Sequence, residues 1–208
     1  MQAKTFVGTW AVVVGLVGSA SASEPSSVGF IKVTVPVGYS LIANPLDAGD
    51  NSIGALFPQM PDGTVIYKLG GSPPQYSYNA YERGWTDPSQ TLKPGEGAFF
   101  HNPGPEPLTL VFVGEVLQGK TAHAIPQGFS IRSSLVPLAG PLDTVLDFPI
   151  ENGDTVYRFR CASNPNGYSL HAYEFGQWSS SPYIGIGEAF FVNKVAPAVW
   201  SKSFSVND

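Results

Sequence analysis

Ten aromatic side chains are the residues of this sequence best equipped for chemistry: Tyr67, Tyr76, Tyr78, Tyr81 and Trp85 in the first half, and Tyr157, Tyr168, Tyr173, Phe175 and Trp178 in the second. Tyr76 and Tyr78 are two positions apart, which in a strand places both rings on one face. An exposed Tyr or Trp ring suits a sugar, because it buries apolar area and keeps a polar handle in reach. Aromatics also fill the cores of small β sandwiches. Tyr67, Tyr81 and Trp85 recur as Tyr157, Tyr173 and Trp178, which assigns them to a shared scaffold. Tyr76, Tyr78 and Tyr168 lie near hairpins that differ between the halves and are the candidate ligand-binding residues, with a glycan as the ligand.

Carboxylates are the next candidates. Glu96 and Glu188 sit in Gly95-Glu96-Gly97 and Gly187-Glu188-Ala189. A glycosidase needs two carboxylates roughly 5 to 9.5 Å apart in one cleft, and one Glu per half leaves that distance to the packing of the halves. The structural alternative is that the glycines supply positive φ while the Glu accepts backbone N–H bonds and ties its turn. No cooperating base or nucleophile accompanies either Glu, so no catalytic residue is assigned.

The other reactive types are scattered. His101, His123 and His171 are not at metal-ligand spacing along the chain. Asp47-Ala48-Gly49-Asp50-Asn51 resembles a fragment of a calcium loop, but the full pattern is absent and a polar turn leading to a helix cap accounts for it. Neither a metal nor a cofactor is assigned. Ser130, Ser133 and Ser134 lack the Gly-x-Ser-x-Gly elbow of hydrolases, and Gly185 and Gly187 lack the third glycine of a dinucleotide loop. The lone Cys161 permits no intrachain disulfide, leaving a free thiol or a bridge between chains.

Composition bounds the class of protein. A net charge of −5 and a pI near 5.1, with no cluster of Lys and Arg, argue against nucleic acid as a partner. With 23 Gly, 19 Pro and 13% charged residues, short strands and many turns are expected and helix should be scarce. Lys4, the apolar run from Phe6 to Val17 and the small residues Ala20-Ser21-Ala22 read as a signal peptide over 1–22, followed by a linker over 23–27. The run is shorter than the roughly 20 residues that span a bilayer. The processed chain is therefore expected outside the cytoplasmic membrane, without a transmembrane segment: periplasmic, on the cell surface or extracellular.

The elements that must position these residues come in two sets. Gly38-Tyr39-Ser40-Leu41-Ile42 returns as Gly128-Phe129-Ser130-Ile131-Arg132, an offset of 90 (128 minus 38). Val65-Ile66-Tyr67-Lys68-Leu69 returns as Thr155-Val156-Tyr157-Arg158-Phe159, and Gly95-Glu96-Gly97 as Gly187-Glu188-Ala189, where the offset is 92 (187 minus 95). Phe30 to Pro36 lies over Lys120 to Pro126, and Leu108 to Phe112 over Trp200 to Phe204. Two units follow, 28–118 and 119–208. Period-two alternation marks strands at Ile31 to Val35, Ser40 to Asn44, Val65 to Leu69, Gln75 to Tyr81, Gly97 to Asn102 and Leu108 to Val116, with equivalents in the second unit. Asn51 to Phe57 before Pro58, and Leu142 to Phe148 before Pro149, each have a capping residue in front and a proline behind, which predicts one short helix per unit. The expected fold is all-β: two tandem, similar, sandwich- or barrel-like units.

The series Gly-aromatic-Ser-Leu-Ile, then Val-x-Tyr-Lys/Arg, then Pro-Gly-Glu-Gly-Ala-Phe-Phe resembles a mostly uncharacterised β-rich repeat module of exported bacterial surface proteins, present twice. Tyr39 and Phe129 stand where that module usually has Trp, and Ile186 replaces its Pro, which is Pro94 in the first unit. The resemblance implies location and fold type, not an activity. The function expected is that of a non-catalytic structural, adhesive or assembly module of the cell envelope or extracellular space, with envelope proteins or glycans as partners. The alternatives are a carbohydrate-binding protein using exposed aromatics and, after it, a glycan-active hydrolase.

Overall fold

A computed structural model of the chain describes residues 27–71, 73–161 and 164–206. The signal peptide expected over 1–22, and the 23–27 linker except Ser27, lie outside them.

The first half carries β1 (Ser27–Val35), β2 (Gly38–Ala43), α1 (Ile53–Leu56), β3 (Val65–Gly70), β4 (Gln75–Ala80), β5 (Gly97–Asn102) and β6 (Leu108–Val116). The second carries β7 (Gly119–Ile125), β8 (Gly128–Arg132), β9 (Gly140–Pro141), β10 (Thr155–Cys161), β11 (Asn164–Glu174), β12 (Gln177–Trp178), β13 (Tyr183–Ile184), β14 (Phe190–Lys194) and β15 (Ala198–Phe204). Nearly every element is a strand, and the named ladders are antiparallel. In the first half β1 and β6 form a two-stranded ribbon and β2-β5-β3-β4 a four-stranded sheet. In the second, β7 and β15 form a ribbon, and β8-β14-β10-β11 repeat that order with β12 added at the edge and a β9–β13 pair alongside.

The alternation seen in the sequence is what builds each core. Ile31, Val33 and Val35 of β1 point inward with Leu110 and Phe112 of β6, and the ribbon they form packs on Ile42, Ile66, Ala98 and Phe100 from one face of the sheet. In the second half Ile125 and Trp200 of the ribbon pack on Val156, Phe190 and Val192. Each such side chain contributes about 1.5–3 kcal/mol when fully buried. Because the ribbon covers a face of the sheet and joins neither edge, no barrel closes. Each half is a sandwich, and the barrel part of the expectation falls.

Two further expectations are corrected. Among the described residues one helix forms, not two. Ser52 caps α1, its Oγ accepting from Ala55 N at 3.3 Å. Over 142–148 the chain makes only turns: Val145 N and Leu146 N both bond Pro141 O (3.1 and 3.2 Å), and Asp147 then enters the left-handed region at φ 54°, which an α-helix of L-residues cannot continue through. The alignment of the last strands also moves. Val35 faces Leu108 and Ile125 faces Ala198, so Leu110, not Leu108, is the counterpart of Trp200. The connection from β14 to β15, residues 195–197, is two residues shorter than 103–107 from β5 to β6, and the shortening restores the offset to 90 (200 minus 110).

The halves meet through reciprocal contacts. Ala43 N donates to Gly187 O at 2.9 Å, and at the matching positions Ser133 N donates to Gly95 O at 3.1 Å. The bridge between Ile42 and Glu188 is matched by one between Arg132 and Glu96. Leu41, Ala43, Ile131, Ala189 and Phe191 fill a third apolar cluster between the halves. The turn glycines are part of the fit: a Cβ on Gly95 (φ 87°) would lie 2.1 Å from the His123 ring, and one on Gly187 (φ 75°) 2.5 Å from Val33.

Candidate functional site

The repeated carboxylates have structural partners. Glu96 Oε2 accepts from Lys93 N and from Lys68 Nζ, both at 2.8 Å. Glu188 Oε2 accepts from Gly185 N at 2.9 Å, and its two oxygens hold Arg158 in a fork at 2.9 and 3.1 Å. Each Glu thus ties its own turn to the cation on the middle of β3 or β10. Ser133 Oγ donates to Glu96 O at 2.9 Å and Ser130 Oγ accepts from Arg132 Nε at 3.2 Å, so these serines also have local partners. In the acidic stretch Asp47 Oδ1 accepts from Gly49 N and Asn51 Nδ2, and Asp50 Oδ1 from Ser52 N. Those bonds hold both carboxyls below the usual carboxylate pKa and make the stretch the polar turn that leads into the Ser52 cap.

The histidines stand apart in three settings. His101 on β5 tilts against Tyr39 with centroids 4.6 Å apart. His171 is buried, with Nδ1 shared between the carbonyl and hydroxyl of Ser180. His123 packs edge-on to Trp200 at 5.2 Å beneath Gly95, and burial, reinforced by the nearby Arg132 charge, lowers its pKa to about 4. The side chain of Cys161 lies outside the described residues.

The aromatics follow from the strand period. On each sheet one set of alternating positions faces the ribbon and the other set carries rings on the opposite face: Tyr39 on β2, Tyr67 on β3, Tyr76 and Tyr78 on β4, Phe99 on β5. Tyr67 is the hub, at 6.2 Å from Tyr39, 6.5 Å from Tyr76 and 5.5 Å from Tyr78. Tyr76 stands 6.3 Å from Phe99, and Phe99 crosses the junction to Phe159 at 5.3 Å and Phe191 at 5.7 Å. Tyr168 continues the row at 5.0 Å from Phe159 and 6.5 Å from Tyr157, and Phe129 ends it 6.0 Å from Tyr157. An unbroken row of rings therefore runs over both halves.

All three sequence-selected residues belong to this row, and all are well exposed: Tyr76 at 50%, Tyr78 at 60% and Tyr168 at 44%. Tyr76 and Tyr168 share one groove of about 500 Å³ with Tyr39, Tyr67, Phe99 and Phe159, while Tyr78 stands outside it at the end of the row. That volume falls within the range of small-ligand sites. Burial raises the phenol pKa of Tyr76, and burial and then the neighbouring Tyr76 raise that of Tyr168. Both hydroxyls are thus protonated donors at neutral pH.

Although Tyr76 and Tyr168 lie near hairpins that differ between the halves, the two match each other. Leu69 pairs with Tyr76 and Phe159 with Tyr168, so the two tyrosines occupy the same register position. Their contacts repeat as well: Tyr67–Tyr76 and Tyr157–Tyr168 are both perpendicular at 6.5 Å. The unmatched residue is Tyr78, whose counterpart facing Tyr157 is Leu170. Tyr67, assigned by recurrence to the scaffold, lies in the groove; Tyr81 and Trp85 are core, with the indole bonded to Phe57 O at 2.7 Å. Tyr39, Phe99 and Phe159 were not selected from the sequence. The signal that would have found them is their alternation with core residues on the same strands. No protein-family model, no curated protein and no solved structure matches the chain.

Proposed function

We propose that the protein is a non-catalytic adhesive module of the cell envelope or extracellular space, built from two copies of one β unit, that holds a glycan along its aromatic face. One observation carries the reading: the row of rings from Tyr39 to Phe129 occupies the sheet face that the two main cores do not use, and it is continuous across the junction. The exposed rings of Tyr39, Tyr76, Tyr78, Phe129 and Tyr168, joined by the half-buried Tyr67, Phe99, Phe159 and Tyr157, match a sugar chain, which offers apolar C–H faces for stacking and a rim of hydroxyls for hydrogen bonds. The matched pairings of the two halves support the duplicated unit, and the apolar leader in the sequence supports export. The structural use of Glu96 and Glu188 favours binding over hydrolysis.

The test is a glycan array probed with the wild-type chain and with Tyr76→Ala and Tyr168→Ala. Stacking of a base on one aromatic side chain is worth roughly 1–3 kcal/mol; with a sugar face on the same scale, each variant should weaken binding about fivefold or more. An array without signal, or signal indifferent to both substitutions, refutes the proposal.

A further inference from the structure

A second and larger groove, of about 720 Å³, adjoins the aromatic row at Tyr76 and runs into the junction between the halves. Its charged lining is Lys68, Glu96 and Arg132, two cations against one carboxylate in a chain whose net charge is −5. Lys68 is committed, donating to Thr91 O at 2.6 Å and to Glu96 at 2.8 Å. Arg132 is not. Its Nε donates to Ser130 Oγ at 3.2 Å, which fixes the plane of the fork, and no carboxylate among the described residues forms an ion pair with it. Its two terminal nitrogens are left without a hydrogen-bond partner among the described residues. Gln75, Tyr76 and Gln90 line the same groove and add polar groups to it.

The groove at the matching place on the other side of the junction lacks this feature. It is about 360 Å³, Ile42 occupies the position of Arg132, and its own arginine, Arg158, is held by Glu188. Arg132 is therefore not needed to build the junction, since the same backbone bridge forms with Ile42. A half-buried guanidinium held at Nε by Ser130, with Glu96 near but not in an ion pair and with both terminal nitrogens unbonded among the described residues, is suited to a planar, bidentate anion from outside, and carboxylate is such a group.

We propose that this groove is a subsite for a carboxylated sugar, and that the glycan held on the aromatic face is acidic, with a uronic-acid unit placed on Arg132 while its neighbour stacks on Tyr76. The proposal rests on the glycan reading of the aromatic face and adds its charge specificity.

Calorimetric titration tests it with three probes: oligogalacturonate or oligomannuronate, the same oligosaccharides with their carboxyls reduced to alcohols, and an oligo-aspartate peptide. The wild-type chain should prefer the carboxylated sugar by about tenfold or more, a preference that shrinks as salt is raised. Arg132→Gln should abolish the preference and leave affinity for the reduced sugar unchanged. Arg132→Lys, which keeps the charge and loses the fork, should retain a few-fold preference and serves if Arg132→Gln does not fold. Tyr76→Ala should weaken both sugars. Equal wild-type affinity for the two sugars, still sensitive to Tyr76→Ala, overturns the acidic subsite alone. Binding of neither sugar overturns the aromatic-face reading with it, and equal or tighter binding of oligo-aspartate assigns the groove to an acidic peptide and overturns the sugar.

Discussion

The turn of Gly95 and Glu96 meets the side chains of His123 and Leu135 and bridges the backbone of Arg132 in the second half, whereas the turn of Gly187 and Glu188 meets the side chain of Val33 and bridges the backbone of Ile42 in the first. The backbone bonds are the same on both sides, Ala43 N to Gly187 O and Ser133 N to Gly95 O. The difference is that the junction is defined by main-chain pairing and by the Glu-tied turns, so the side chains packed around it are free to diverge. A similar divergence occurs deeper in the halves. Lys194 and Asp154 form a fully buried ion pair, and the register positions they occupy hold Asn102 and Thr64 in the first half. Places at matching register in the two halves thus carry different chemistry, and each difference can be tested.

The largest expected effect separates Asp154 from Thr64. Asp154 accepts from Lys194 Nζ and from the backbone N–H groups of Glu151 and Val195, both at 2.8 Å. Asp154→Ala leaves the Lys194 charge buried without its partner and should cost about 3–5 kcal/mol, read as a lower midpoint in urea unfolding. Thr64→Ala removes one hydroxyl bond, to Pro61 O at 2.8 Å, and should cost about 1 kcal/mol. Equal losses would break the contrast between the halves. If Asp154→Ala is too unstable to purify, the paired exchange Asp154→Thr with Lys194→Asn installs the first half's residues and should fold.

A smaller effect separates His123 from Val33. The folded-state pKa of His123 is about 4, below its ordinary 6.5, because burial and the Arg132 charge disfavour the imidazolium. A group with a depressed pKa in the folded state binds fewer protons there than in the unfolded chain. Its neutral form therefore contributes fully above pH 6.5, and that contribution is lost as pH falls from 6.5 toward 4. Because His123 is only half-buried, we expect about 1–2 kcal/mol lost between pH 7.5 and 4.5. His123→Val, the residue found at the matching place, should remove that part of the pH dependence in thermal melts. A variant as acid-sensitive as the wild type would place the titration elsewhere.

The strands were legible because their signal is local. Alternation at Ile31, Val33 and Val35, or at Leu110 and Phe112, reflects a half-buried pleat whatever the strand pairs with. The Glu96 and Glu188 turns were legible for the same reason, since glycine spacing and an acceptor three residues from its donor N–H are contained in one short segment. The second helix was misread because cap and stop residues say nothing of a left-handed residue, Asp147, inside the segment. The aromatic row was half legible. Tyr76, Tyr78 and Tyr168 stood out by type, but Phe99 reaches Phe159 only through the packing of the halves. Arg132 was legible only as the residue set against Ile42 in the repeat: that its terminal nitrogens face a groove without a hydrogen-bond partner among the described residues is a property of the assembled junction.

The central claim is that the ring-bearing face of both sheets is the binding surface. Amide chemical-shift mapping of the labelled chain, titrated with an oligosaccharide that scores on the array, tests it most directly. Perturbations are expected on Tyr39, Tyr67, Tyr76 and Phe99 and, in the same titration, on Phe159 and Tyr168 of the second half. Perturbations confined to the β1–β6 and β7–β15 ribbons, or to one half only, would contradict it.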